Sequence, residues 1–224
     1  MEEANLAIRF PIYDCVDVDR FRMPQTVEDG RLKVGIVSNN TAKKGIGSFV
    51  DLAIAAGLRR PDIDFIVIGP LNQLTERLKQ AAAEALHQVN LRFTDYVADP
   101  AVAMRQINVL MSLSEVPESF GRTIIEAMAA GRPVVAYRAG AIPELVRHGV
   151  DGFLIPQMQS AAALDHLAEL ADSPSLLLQL GQNARERALK LFSSTTFAVH
   201  LNAAYVEILF RWEKQRSSRA VAIS

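Results

Sequence analysis

Two glutamates, Glu118 and Glu126, stand eight residues apart in the run Glu118-Ser-Phe-Gly-Arg-Thr-Ile-Ile-Glu126-Ala-Met-Ala-Ala-Gly-Arg-Pro-Val-Val-Ala-Tyr137. Gly121 lies between them, and Arg122–Ala130 is a good helix former followed by the stop signals Gly131 and Pro133. The helix is therefore expected to begin at or near Gly121. At helical spacing Arg122, Thr123 and Glu126 share one face, and Ile124, Ile125 and Met128 share the apolar one. Glu118 falls just before the first turn, where backbone N–H groups have no partner and the helix dipole is positive. Carboxylates flanking such an anion site suit a ligand whose hydroxyls flank phosphates. The competing reading is a solvated face with an Arg122–Glu126 pair worth only ~0.3 kcal/mol. On these residues alone both stand.

A second cationic segment precedes a glycine: Lys43 and Lys44 lie directly before Gly45, in the loop after the first expected strand. A lysine there can act as a point charge for phosphate. The alternative is a solvated basic turn, but two separate segments converge on anion binding at one sheet edge. Gly45-Ile-Gly47 is a weak dinucleotide fingerprint, because Val50 stands where a third glycine is needed. The chain contains no phosphate-binding P-loop run, no Gly-x-Ser-x-Gly and no His-Glu-x-x-His. Its histidines, His87, His148, His166 and His200, are scattered, so no metal is expected.

The elements that must hold these residues follow from periodicity. Residues 1–30 contain Pro11, Pro24 and isolated anchors (Phe10, Val16, Val18, Phe21), the pattern of a strap. From residue 31, short apolar runs at 32–37, 64–68, 91–93, 108–112, 133–137 and 153–155 alternate with helical stretches. The first of these helices covers 46–58, and Leu74 to Val89 recur at helical spacing. Such alternation predicts an α/β fold, a Rossmann-like parallel sheet with helices on both faces, plus C-terminal helices over 161–171, 175–191 and 196–214. Ligands of such sheets sit at the carboxyl ends of the strands, so the loops 38–45, 69–73, 94–100, 113–121 and 138–142 carry the expectation of a site.

Composition excludes other classes. With 24 basic and 25 acidic residues among 224, the net charge of −1 offers no field for nucleic acid or an anionic membrane. Cys15, the lone cysteine, precludes an internal disulfide, and no apolar run is long enough to span a bilayer. The acidic N-terminus lacks a signal core, so a cytoplasmic protein is expected. Trp212 with the basic stretch 211–219 admits a membrane-surface element, but the favoured expectation is that Trp212 packs on the body and the stretch ends in a solvated, frayed tail.

The motif at 118–137, continued by Gly-Ala-Ile-Pro-Glu144-Leu-Val-x-x-Gly149-x-x-Gly152-Phe-Leu-Ile-x-Pro156, resembles the C-terminal donor-binding domain of retaining nucleotide-sugar glycosyltransferases of family 4, group 1. The resemblance runs from about residue 31 to 156. Asp17-Val-Asp-Arg-Phe21 also resembles the connection between the two domains of these GT-B enzymes. It implies that Glu126 binds ribose hydroxyls, that Glu118 lies against the donor sugar, and that Lys44 neutralises the departing diphosphate with the Gly121–Thr123 amides capping it. It also assigns Asn39, Ser119, Phe120, Arg122 and Gly140 to the donor site, with Tyr96 near the base. No metal is needed in the family.

Three positions depart from the pattern: Asn39 stands for an arginine, Ala141 for the second glycine of a Gly-Gly loop, and Asp95 for a glycine of the base loop. The implied organisation is a strap over 1–30, a donor-binding domain over 31–192, a helix over 193–215 that packs across to an N-terminal domain, and a disordered tail over 216–224. That acceptor-binding half, on a separate chain or truncated from this one, is the expected partner, and a peripheral membrane contact through it is compatible with the family. A nucleotide-sugar epimerase is the related enzyme reading, disfavoured by Glu-x7-Glu. A non-catalytic module that keeps the fold, binding a nucleotide sugar or a partner, is the alternative of another class.

Overall fold

The computed structural model describes residues 12–25, 30–85 and 89–221. Phe10 and Pro11 of the expected strap lie outside them, as does His87. Six strands form one parallel sheet: β1 (Leu32–Val37), β2 (Ile63–Ile68), β3 (Leu91–Thr94), β4 (Val109–Ser112), β5 (Val134–Tyr137) and β6 (Gly152–Ile155). Their spatial order is β3-β2-β1-β4-β5-β6. The chain thus works outward from β1 to one edge, then returns to the far side of β1 and works outward again. β1 is paired on one side with β2 from Leu32↔Ile63 to Val37↔Ile68, and on the other with β4 at Val34↔Val109 and Gly35↔Leu110.

The strands are apolar on both faces because both faces are covered, and alternate residues feed two cores. Leu32, Val34, Phe65, Val67, Val109, Met111, Val135 and Phe153 pack with α1 (Ile46–Gly57) and α6 (Ala163–Asp172). Ile66, Leu110, Val134, Ala136 and Leu154 pack with α3 (Pro100–Arg105), α4 (Arg122–Ala129) and α7 (Pro174–Leu191). Val16, Val18 and Phe21 of the strap join this second core and are buried. The Val16 amide donates to the Phe192 carbonyl at 2.9 Å, so the strap is tied to the end of α7.

Most elements fall within one or two residues of their expected bounds. The helix expected as far as Val89 is shorter: α2 covers Gln73–Ala83, begun by an Asn72 and Thr75 capping box, and Leu86–Gln88 lie outside the described residues. The helix α5 covers Ile142–Leu145. The last helix, α8, is continuous over Ser194–Val221, past the expected bound at 215 and through part of the expected tail, and Trp212, expected to pack on the body, is 56% exposed on it.

Candidate functional site

The site lies where strand order reverses, at the carboxyl ends of the adjacent strands β1 and β4. Their outgoing loops lead to opposite faces of the sheet and leave a crevice between them. A cleft of about 360 Å³ opens there, lined by Ser38, Asn39 and Lys44 from the first loop, Ser114 and Glu118–Thr123 from the second, and Asp14 from the strap.

Two glycines shape the cleft walls. Lys44 ends a 3-10 turn (Ala42–Lys44) closed by Gly45 at φ +72°. A Cβ on Gly45 would overlap the Leu113 carbonyl, so only glycine lets the two loops touch here. Across the contact the Glu115 amide donates to the Lys43 carbonyl at 2.9 Å. On the other side Gly140, at φ +55°, sits under the Glu118 backbone, where a Cβ would stand 2.5 Å from the Glu118 carbonyl oxygen. The Ala141 amide holds that same oxygen at 3.0 Å. The Lys44 and Glu118 side chains therefore both rise from clamped backbones, and Lys44 Nζ meets Glu118 Oε1 at 2.5 Å across the cleft.

The helix α4 starts as its sequence predicts. Gly121 is its N-cap at φ +94°, with no side-chain cap. The Gly121, Arg122 and Thr123 amides donate to no described residue and are free to meet a ligand. The helix ends in a Schellman arrangement: Gly131 at φ +70°, its amide donating to Met128 and the Arg132 amide to Ala127.

Glu126 differs from the solvated-face alternative. Its residue is 8% exposed, and burial raises its carboxyl above the ordinary value, opposed by the Arg122 guanidinium 3.3 Å away. Arg122 itself is exposed and also reaches Asp14 Oδ2 at 3.4 Å. The order Asp14, Arg122, Glu126 thus runs from the strap into the second turn of α4. Phe120 lines the cleft and also packs against Tyr13 and Phe192, with ring centroids 6.3 Å away in each case.

Of the residues singled out in the sequence, Asn39, Lys44, Glu118, Ser119, Phe120, Gly121, Arg122 and Thr123 line one cleft. Glu126 lies next to it through Arg122, and Gly140 supports it from below. Tyr96, 66% exposed on the loop after β3, does not line it. Asp14 is a lining residue that sequence reasoning missed, whereas Ser38 lies in a loop expected to carry the site without being singled out. Asp14 carries no local signal, because its partner Arg122 lies 108 residues away. Among the described residues no cluster of three or more His, Cys, Asp or Glu could hold a metal ion, and no helix is long and apolar enough to cross a membrane.

The family model described as "Glycosyl transferases group 1" matches residues 17–187. The MMP alpha-(1->4)-mannosyltransferase of Mycolicibacterium hassiacum is 30% identical over 194 residues, covering 82% of this chain and 45% of that protein. The chain thus spans less than half the length of this curated relative. Anabaena HepE, solved in complex with UDP, superposes with a TM-score of 0.77 at 24% identity, over 88% of this chain and 57% of that one. The C-terminal domain of a group 1 family protein, LpcC of Francisella tularensis, is covered over 99% of its length by 80% of this chain, with a TM-score of 0.70 and 24% identity. These two likenesses establish the fold.

Proposed function

The chain belongs to the group 1 glycosyl transferases, and from that premise we propose that it is the donor-binding half of a retaining, metal-independent transferase using a nucleoside-diphosphate sugar. The observation that carries this proposal is the single cleft at the β1/β4 reversal. It combines unsatisfied amides at the start of α4, Lys44 within reach of the same space, and carboxylates on both sides. Diphosphate at the Gly121–Thr123 amides would gain from the helix dipole and from Lys44 as negative charge grows on the leaving group. Glu118 would accept from sugar hydroxyls and Glu126 from the ribose, both as ionised acceptors. The UDP complex of the Anabaena protein and the mannosyltransferase relative make UDP-linked sugars and nucleotide-linked mannose the first donors to try.

Only one wall of the cleft belongs to this half. The proposed partner is an acceptor-binding half, carried on this polypeptide or on another, that excludes water and presents the acceptor. α8 is suited to meet it: Val199, Tyr205, Val206, Leu209, Phe210 and Trp212 are all more than half exposed along the helix. Without that half, the 224-residue chain should bind donor and not transfer its sugar.

Calorimetric titration of UDP, GDP, UDP-glucose and GDP-mannose tests the proposal. Saturable binding in the micromolar to millimolar range is expected, weakened about tenfold by Lys44→Ala through loss of one charge-assisted contact. No binding at millimolar concentration, or binding indifferent to Lys44, would remove the donor-site assignment. Binding with no transfer after an acceptor half assembles with the chain would favour a non-catalytic module.

A further inference from the structure

We propose that Glu118 makes the cleft prefer a nucleotide still carrying its sugar over the bare nucleoside diphosphate, by competing with the diphosphate for Lys44. This inference rests on the donor-site assignment above and adds a selectivity that the assignment does not require.

Among the described residues the charges lining the cleft are Asp14, Lys44, Glu118 and Arg122, two of each sign, and each of these cations is already engaged. Lys44 is held by Glu118 at 2.5 Å, and Arg122 lies between Asp14 at 3.4 Å and Glu126 at 3.3 Å. An anion entering this space finds no surplus positive charge. It must take Lys44 away from a carboxylate that cannot retreat far, because the Glu118 backbone is pinned by Ala141 and Gly140 and the Lys44 loop by Gly45 against Leu113.

What happens to Glu118 then depends on the ligand. A bare diphosphate leaves this partly enclosed carboxylate, with 23% of its side chain exposed, without its cation and beside new negative charge. A ligand with sugar hydroxyls next to the diphosphate supplies donors to the same carboxylate, so separating the ion pair leaves neither partner unsatisfied. Once the sugar is gone, Glu118 returns to Lys44 and the diphosphate is released. The pair therefore acts as a latch opened by the sugar and closed against the product.

Titration of wild type, Glu118→Gln, Lys44→Gln and the double variant with UDP, GDP, UDP-glucose and GDP-mannose decides the matter. Glu118→Gln is expected to bind the bare diphosphate about tenfold more tightly, without tightening the sugar conjugate, so that the preference collapses. On the Lys44→Gln background the same substitution should tighten diphosphate binding clearly less than in wild type, since only like-charge repulsion is left to relieve and the competition needs both partners. Glu118→Ala should move affinity in the same direction, and it serves if the glutamine variant does not fold.

Unchanged or weaker diphosphate binding in both Glu118 variants overturns the latch. So does equal tightening of diphosphate and conjugate, which would make Glu118 a source of general repulsion only. If wild type binds neither class of ligand, the donor-site assignment falls and the latch with it. If wild type binds and the preference does not move, the latch alone falls.

Discussion

Gly45→Ala is expected to destabilise the chain by about 3–5 kcal/mol and to abolish nucleotide binding in whatever folded fraction remains. An alanine at φ +72° is strained by roughly 1 kcal/mol before any contact is considered. The larger effect is steric. The new Cβ overlaps the Leu113 carbonyl, which belongs to a fully buried residue at the end of β4, and neither backbone can shift without breaking the Glu115–Lys43 hydrogen bond. Movement of either loop also displaces Lys44 relative to the start of α4, which lines the same cleft.

Gly47→Ala is the matched control, two residues on and inside α1. Its Cβ would meet nothing within 4 Å, and alanine favours the helix, so stability should stay within ~0.5 kcal/mol of wild type or rise. Urea denaturation of both variants measures the difference. Equal stability would mean that the two loops are not in the contact described.

Glu126→Gln is expected to act with opposite signs on stability and binding. Burial raises the folded-state carboxyl above its ordinary value of 4.5, so between that value and the folded one the native protein holds more protons than the unfolded chain. Stability contributed by this group therefore falls as pH rises through that window, and above it the whole burden of a desolvated carboxylate is present. Glutamine has no such burden. At pH 7 the variant should gain about 0.5–2 kcal/mol, the size common for a single stabilising substitution. The gain should vanish at and below pH 4, where both states of the wild type carry the proton.

In exchange the variant is expected to lose the ionised acceptor proposed for ribose hydroxyls, a loss of roughly 2–3 kcal/mol, or about 30- to 150-fold in nucleotide affinity. Thermal unfolding from pH 4 to 8 together with nucleotide titration checks both arms. A variant less stable at pH 7 would show that the Arg122 ion pair outweighs burial; unchanged affinity would remove Glu126 from the ribose site.

Much of the candidate site's geometry was legible because its parts are local. Gly121, the apolar residues of α4 and the stop at Gly131 specify a helix start and end through backbone geometry alone, and the two glutamates keep a fixed spacing around that start. Lys44 was legible for a similar reason: it closes the loop after the first short strand, at the carboxyl end of the sheet where ligands of such folds bind. The burial of Glu126 was not, since spacing puts it on the same face as the exposed Arg122 and only the packing around α4 removes it from water.

The sequence by itself determined the alternation of strands and helices, the parallel sheet covered on both faces and the family motif, because periodicity and turn chemistry act within a few residues of the chain. Tertiary structure alone decided the strand order that sets β1 beside β4, and with it the crevice at their carboxyl ends. It also decided which charges meet there: Lys44 with Glu118 across 74 residues of chain, and Arg122 with Asp14 across 108. Such pairings depend on where whole elements dock, through burial summed over two cores, and no local pattern records that sum.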